Sequence, residues 1–241
     1  MRKMHTNTAF DRDMRELDAL ILSMASKVEA AIVQATDAFA RHDNELAAKV
    51  VQEDSAIDAL EHEINLLVVR MLALRQPVAS DLLEVITVMK VAGDLERLGD
   101  YAKNLGKRVP VLTPGDVLDS AIASVTRLSA LVQAMLKDVV TAYSHNDTEL
   151  AQAVLARDVE VDQVTNAMFR EFLTHMMEDA RNITLCMHVL FIAKNFERMG
   201  DHITEIAEQV IFAETGQLPT ARVKGASTST ISGPLDEGGA A

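Results

Sequence analysis

The chain has 241 residues with 23 Lys and Arg against 36 Asp and Glu, and its net charge of −13 opposes bulk electrostatic binding to nucleic acid or anionic lipid. Hydrophobic residues make up 49% but aromatics only 4%, with no Trp, ten Gly and five Pro. A core of Leu, Val, Ile, Ala and Met with few turn breakers is a helical composition, and it excludes an all-β sandwich. The lone Cys186 cannot form an internal disulfide.

Helical periodicity predicts an all-α chain of six long helices. The first covers Asp11 to Arg41 and the second Asn44 to Leu74. Pro77 breaks the pattern, Ser80 is expected to be an N-cap, and the third helix runs to Arg108. Pro110, Thr113, Pro114 and Gly115 mark a domain boundary, with Thr113 and Pro114 reading as N-cap and first helical position. The fourth helix then runs to Ser144, the fifth from Asp147 to Glu178, and the sixth from Asn182 to Thr215, ended by Gly216. The expected units are residues 8–110, residues 113–216 and a disordered small-residue tail at 217–241.

No apolar stretch follows the charged N-terminal residues. The apolar windows Ile64–Leu74 and Ile183–Ala193 are interrupted by Arg70 and His188. Neither a signal peptide nor a membrane span is expected, and the predicted location is cytoplasmic.

The second half repeats the first. His42-Asp43-Asn44-Glu45-Leu46-Ala47 aligns with Asn146-Asp147-Thr148-Glu149-Leu150-Ala151, and Leu95-Glu96-Arg97-Leu98-Gly99-Asp100 with Phe196-Glu197-Arg198-Met199-Gly200-Asp201. The offset is 104 residues in the first case and 101 in the second, the loss fitting the loop after the second helix. Two tandem three-helix bundles related by an internal repeat are the predicted architecture.

Four segments place an acid four residues before an aspartate: Asp54/Asp58, Glu96/Asp100, Asp158/Asp162 and Glu197/Asp201. At that spacing both carboxylates leave one helix face. Asp58 lies 16 residues before Leu74, about 24 Å of helix, and Glu96 lies 15 residues after Asp81, about 22 Å back along an antiparallel neighbour. Asp58 should therefore lie level with Glu96, and Asp54 with Asp100; the same spacing holds in the second half. The apolar seams Val50, Ile57, Leu60, Ile64, Leu67, Met71, Leu74 and Leu95, Leu98, Ala102, Leu105 put the acids beside the core, at the bundle rim. Gly99 and Gly200, mid-helix before each last aspartate, suggest close helix approach or room for a bound object.

Such a quartet suits a hard cation held on oxygens, Asn104 and Glu205 extending each set, or else an ion-pair network closed by Arg97, Arg198 and Lys103. No Glu has a His three residues on, and there is no phosphate-cradling glycine loop or nucleophile elbow. Cys186 is expected in the core, His202 exposed beside Asp201, and the twelve Met as core filler or partner surface.

Through Glu96-Arg97-Leu98-Gly99-Asp100, Glu197-Arg198-Met199-Gly200-Asp201 and the preceding aspartate pairs, the sequence resembles the PhoU family over about residues 8–215. The resemblance implies two tandem three-helix bundles and metal at the acidic motifs, with Fe, Zn, Mn or Mg as candidates. It implies a non-enzymatic, often dimeric regulator that restrains the phosphate-starvation response when phosphate is plentiful. Its partners would be the high-affinity phosphate ABC transporter, through its ATPase, and a membrane sensor histidine kinase. Asp94 becomes Asn195 in the second repeat, so the two sites are expected to differ. A metal-dependent phosphohydrolase and a metal-free helical adaptor are the alternatives.

Overall fold

The computed structural model describes residues 8–112, 116–217 and 219, and among these no strand occurs. The expected Thr113-Pro114 helix start lies outside the described residues, as does the expected disordered tail 217–241 apart from Gln217 and Pro219.

Among the described residues seven α-helices follow in order: α1 Thr8–Arg41, α2 Asn44–Glu53, α3 Ser55–Arg75, α4 Ser80–Arg108, α5 Asp116–His145, α6 Thr148–Glu178 and α7 Ile183–Thr215. Helices α2 and α3 are the single second helix of the sequence reading, interrupted at Asp54. There the backbone keeps helical angles, but the Asp54 carbonyl accepts from both Ile57 N at 2.8 Å and Asp58 N at 3.2 Å, a locally tightened turn. In the second repeat α6 runs through Asp158 without a break.

The repeat extends to its turns. His42 and Asn146 close α1 and α5 with φ of 54° and 53°, in the left-handed region. Asp43 and Asp147 then cap the next helix, each accepting from two backbone amides: Glu45 and Leu46 in one case, Glu149 and Leu150 in the other. Ser80 is not the N-cap of α4. Ala79 holds that position at φ 50°, Ser80 is already helical, and its hydroxyl reaches Asp81 instead. Gly216 ends α7 at φ 69°.

Helices α1 to α4 form one three-helix bundle, counting α2 and α3 together, and α5 to α7 form the other. Their cores are continuous, because α4 packs on α7 and α1 on α5. Arg108, at the end of α4, lies over the Phe191 ring near the start of α7, so these two helices run antiparallel across the seam. Helix α1 holds a stretch apolar enough to cross a membrane, with mean hydropathy 1.3, an apolarity the window reading did not pick out. Its Leu17, Ile21, Met24, Val28 and Ile32 are buried, and the helix packs against α2, α3, α4 and α5. An interior helix flanked on several sides is apolar around more of its circumference than a surface helix.

The predicted seams are buried at Val50, Ile57, Ile64, Leu67, Met71, Leu95, Leu98, Ala102 and Leu105. Leu60 is only partly buried, and Leu74 is 67% exposed, since it lies at the tip where α3 leaves its neighbours. Cys186 is fully buried, as expected, and burial pushes its thiol pKa up.

Candidate metal centre

In the first bundle the break between α2 and α3 and the middle of α4 bring Asp54, Asp58, Glu96 and Asp100 together. Lys103, one turn beyond Asp100, places its Nζ 2.5 Å from Asp54 Oδ2 and 2.6 Å from Asp100 Oδ1. Asp54 is therefore level with Asp100, as the helix arithmetic requires. Asp58 stands largely exposed, and its pKa is raised by partial desolvation against the neighbouring helix first and then by the charge of Asp54, while Lys103 opposes the shift. Glu96 is also raised, by burial and then by Asp100, with a smaller contribution from Asp58. These mutual effects mark the four acids as one electrostatic group. Asp54 is only 6% exposed, which places it inside the rim rather than on it.

Arg97 lies 3.5 Å from Glu96 and 3.6 Å from Asp100 but is largely exposed, so it contributes little. Lys103 contributes more. Burial alone would lower its pKa, but hydrogen bonds to Asp100 and Asp54 outweigh that and hold the ammonium above its ordinary range. In this quartet the compensating charge is supplied by the chain itself.

The second quartet is built differently. Asp158 is 3% exposed and lies against Gly200, where an added Cβ would stand 2.6 Å from Asp158 Oδ1. At Gly99 the corresponding Cβ would meet Ile57 Cδ1 at 3.0 Å and Asp54 Oδ1 only at 3.6 Å. Both glycines permit close helix approach, and at Gly200 the space is taken by the carboxylate. Lys194 reaches Glu197 at 2.6 Å. At the opposite end the position of Lys103 is Thr204, whose hydroxyl donates to the Asp201 backbone carbonyl at 2.6 Å. The donor set is all oxygen, which suits a hard or borderline cation.

Three further residues were not gathered by the sequence reading. His202 is not exposed: its Nδ1 lies 3.0 Å from Asp94 Oδ1 across the seam and 3.0 Å from Glu205 Oε2 on its own helix. The hydrogen bond with Asp94 raises the His202 pKa against the effect of burial, and burial, followed by Asp94, raises that of Glu205. Tyr101 stacks on the imidazole at 5.8 Å between centroids. Glu205 thus serves this seam cluster rather than extending the Asp201 set. The ligand atoms of Asp94, His202 and Glu205 lie within 4.8 Å of one another. The signal in the sequence was the repeat's asymmetry, Asp94, His202 and Glu205 against Asn195, Tyr101 and Asn104, which says nothing of what faces what.

The described residues thus form a tandem pair of three-helix bundles with acidic residues on facing helices, an all-α repeat protein. The PhoU domain model matches residues 21–109 and 125–210, one copy per bundle, and the chain belongs to the PhoU family. A phosphate-specific transport system accessory protein PhoU homolog of Zymomonas mobilis is 44% identical over 92% of this chain and 93% of its own length. One from Rhizobium meliloti is 38% identical over 98% of this chain and 100% of its own. The crystal structure of PhoU from Pseudomonas aeruginosa superposes with a TM-score of 0.80 at 32% identity, covering 86% of this chain and 100% of that one.

Proposed function

We propose that the chain is a non-enzymatic, cytoplasmic regulator of phosphate uptake that acts by docking. It links the ATPase of a high-affinity phosphate ABC transporter to a sensor histidine kinase, and it restrains the starvation response when phosphate is plentiful. Family membership over nearly the whole chain carries this reading, since the relatives are named accessory proteins of the phosphate-specific transport system.

The fold is compatible with docking. Large apolar side chains stand exposed toward the tips of both helix hairpins, among them Val78 at 73% in the first bundle and Met177 at 80% in the second. Because α4 and α7 run antiparallel, the two tips lie at opposite ends of the molecule, where two partners or a second copy of the chain can be engaged separately. Homodimer formation belongs to the same reading.

The eight acids Asp54, Asp58, Glu96, Asp100, Asp158, Asp162, Glu197 and Asp201 are assigned as metal ligands, with Fe, Zn, Mn or Mg as the ion. A cation there would neutralise each quartet and fix the register of its two helices. The two quartets differ at one position, where the first carries Lys103 and the second Thr204. Affinity capture of the tagged chain from cells grown in high and low phosphate tests the adaptor reading. The transporter ATPase and the sensor kinase are expected among the proteins identified, enriched in high phosphate. Their absence in both conditions removes it.

A further inference from the structure

We propose that Asp94, His202 and Glu205 form a separate cation site at the seam, taking a borderline divalent transition ion such as Zn²⁺ and clamping the first bundle to the second. This inference is independent of the adaptor reading and of the carboxylate quartets.

Geometry comes first. An ion bonded at about 2.1 Å to nitrogen and oxygen donors holds neighbouring donors about 3.0–3.4 Å apart. His202 Nδ1 already lies 3.0 Å from a carboxylate oxygen on each side. Two carboxylates and a neutral imidazole balance a divalent charge, and the nitrogen selects Zn²⁺, Co²⁺, Ni²⁺ or Fe²⁺ over Mg²⁺ or Ca²⁺. The ion would replace the proton on Nδ1, leaving the remaining proton on Nε2.

The surroundings supply independent support. The three side chains and Gln209 line an open depression of about 380 Å³, whose rim also carries Glu61, Glu96, Lys90 and Arg97. Among the described residues Gln209 Oε1, a buried acceptor one turn beyond Glu205, has no hydrogen-bond partner. Tyr101, stacked on the ring, restricts its orientation as a positioning neighbour would.

The repeat argues that the fold itself does not demand these residues. At the 101-residue offset Asp94, His202 and Glu205 correspond to Asn195, Tyr101 and Asn104. The same antiparallel seam therefore tolerates amides and a phenol at all three positions. One copy alone has a nitrogen and two carboxylates, and it draws them from both bundles.

Chelator-stripped full-length protein is titrated with Co²⁺ and with Zn²⁺, following visible absorption, calorimetry and the ¹⁵N shifts of the His202 ring. Among the wild-type sites, one is expected to weaken by at least about 100-fold in both His202→Gln and Asp94→Asn and to survive in Asp158→Asn/Asp162→Asn. Zn²⁺ should move the His202 ring resonances of the wild type. Unchanged stoichiometry and affinity in the two seam variants would overturn the site. So would His202 resonances that Zn²⁺ leaves in place, which would identify the cluster as an imidazolium between two carboxylates. Circular dichroism reports whether each variant is folded; should a variant unfold, the wild-type resonances decide.

Discussion

Lys103 and Thr204 occupy the same position of the two repeats, and only the first puts a charge there. The Lys103 ammonium touches both Asp54 and Asp100, while the Thr204 hydroxyl turns back to its own helix. Two quartets that look alike in sequence thus differ in what stands at this position.

Metal uptake should follow that difference. Lys103→Thr is expected to add metal binding to the first bundle, and Thr204→Lys to lower affinity in the second by at least about tenfold, since a fixed ammonium beside the donors repels a divalent ion. Elemental analysis and calorimetry on the purified variants measure both. Equal metal content in wild type and both variants would contradict the assignment.

The same lysine should matter for stability. Without it, the buried Asp54 loses its partner, a change costing about 3 kcal/mol in comparable buried pairs. Lys103→Thr is therefore expected to melt earlier in the presence of a chelator. Added Mn²⁺ or Zn²⁺ should restore part of the loss, because an ion that binds only the folded chain stabilises it. Thermal melts with and without metal separate the two effects.

The glycines supply a second contrast. In an ordinary helix interior Gly→Ala gains about 1 kcal/mol. At Gly200 the new Cβ would stand 2.6 Å from Asp158 Oδ1, so the carboxylate must move. At Gly99 it meets mainly Ile57 Cδ1 at 3.0 Å, the end of a side chain. Gly200→Ala is expected to fold but to weaken metal binding in the second bundle by about tenfold, reflecting a displaced ligand. Gly99→Ala should leave metal content unchanged and shift the melting temperature only slightly. Parallel titrations of the two variants check this.

What the sequence revealed follows from what helical spacing encodes. The level of Asp54 with Asp100 comes from 1.5 Å per residue counted through one hairpin, and Lys103 bridging the two shows that the count holds. The seam between bundles has no such counter. Periodicity shows that His202 lies near a helix face but not that Asp94 of another bundle covers it, so the histidine read as exposed. The break at Asp54 was equally hidden: Glu53-Asp54-Ser55 contains no Gly or Pro, and α6 passes through the equivalent Asp158 intact. At Ser80 the choice of cap residue was set by the backbone of the preceding turn, where Ala79 takes a positive φ that no propensity favours.

A last prediction concerns Asp13, which lies far from both quartets in sequence and ties α1 to the end of α3. Its side chain is 2% exposed, and Arg75 donates to it from Nε at 3.1 Å and from its terminal nitrogen at 3.0 Å. Burial alone would raise the pKa of Asp13. The Arg75 hydrogen bonds and charge, with a smaller contribution from Arg12, outweigh it and hold the carboxyl below its ordinary value. A carboxylate depressed in the folded state stabilises the fold above the unfolded value of about 3.9, and that stabilisation is lost as pH falls through the folded value. Arg75→Met should cost about 3 kcal/mol at pH 7, where it leaves a buried charge unpaired. The cost should shrink toward pH 3, because Asp13 is then neutral in the variant while the wild type is losing its ion pair. Urea denaturation of both proteins at the two pH values measures the gap, and a gap that stays constant would mean that the pair contributes through packing rather than charge.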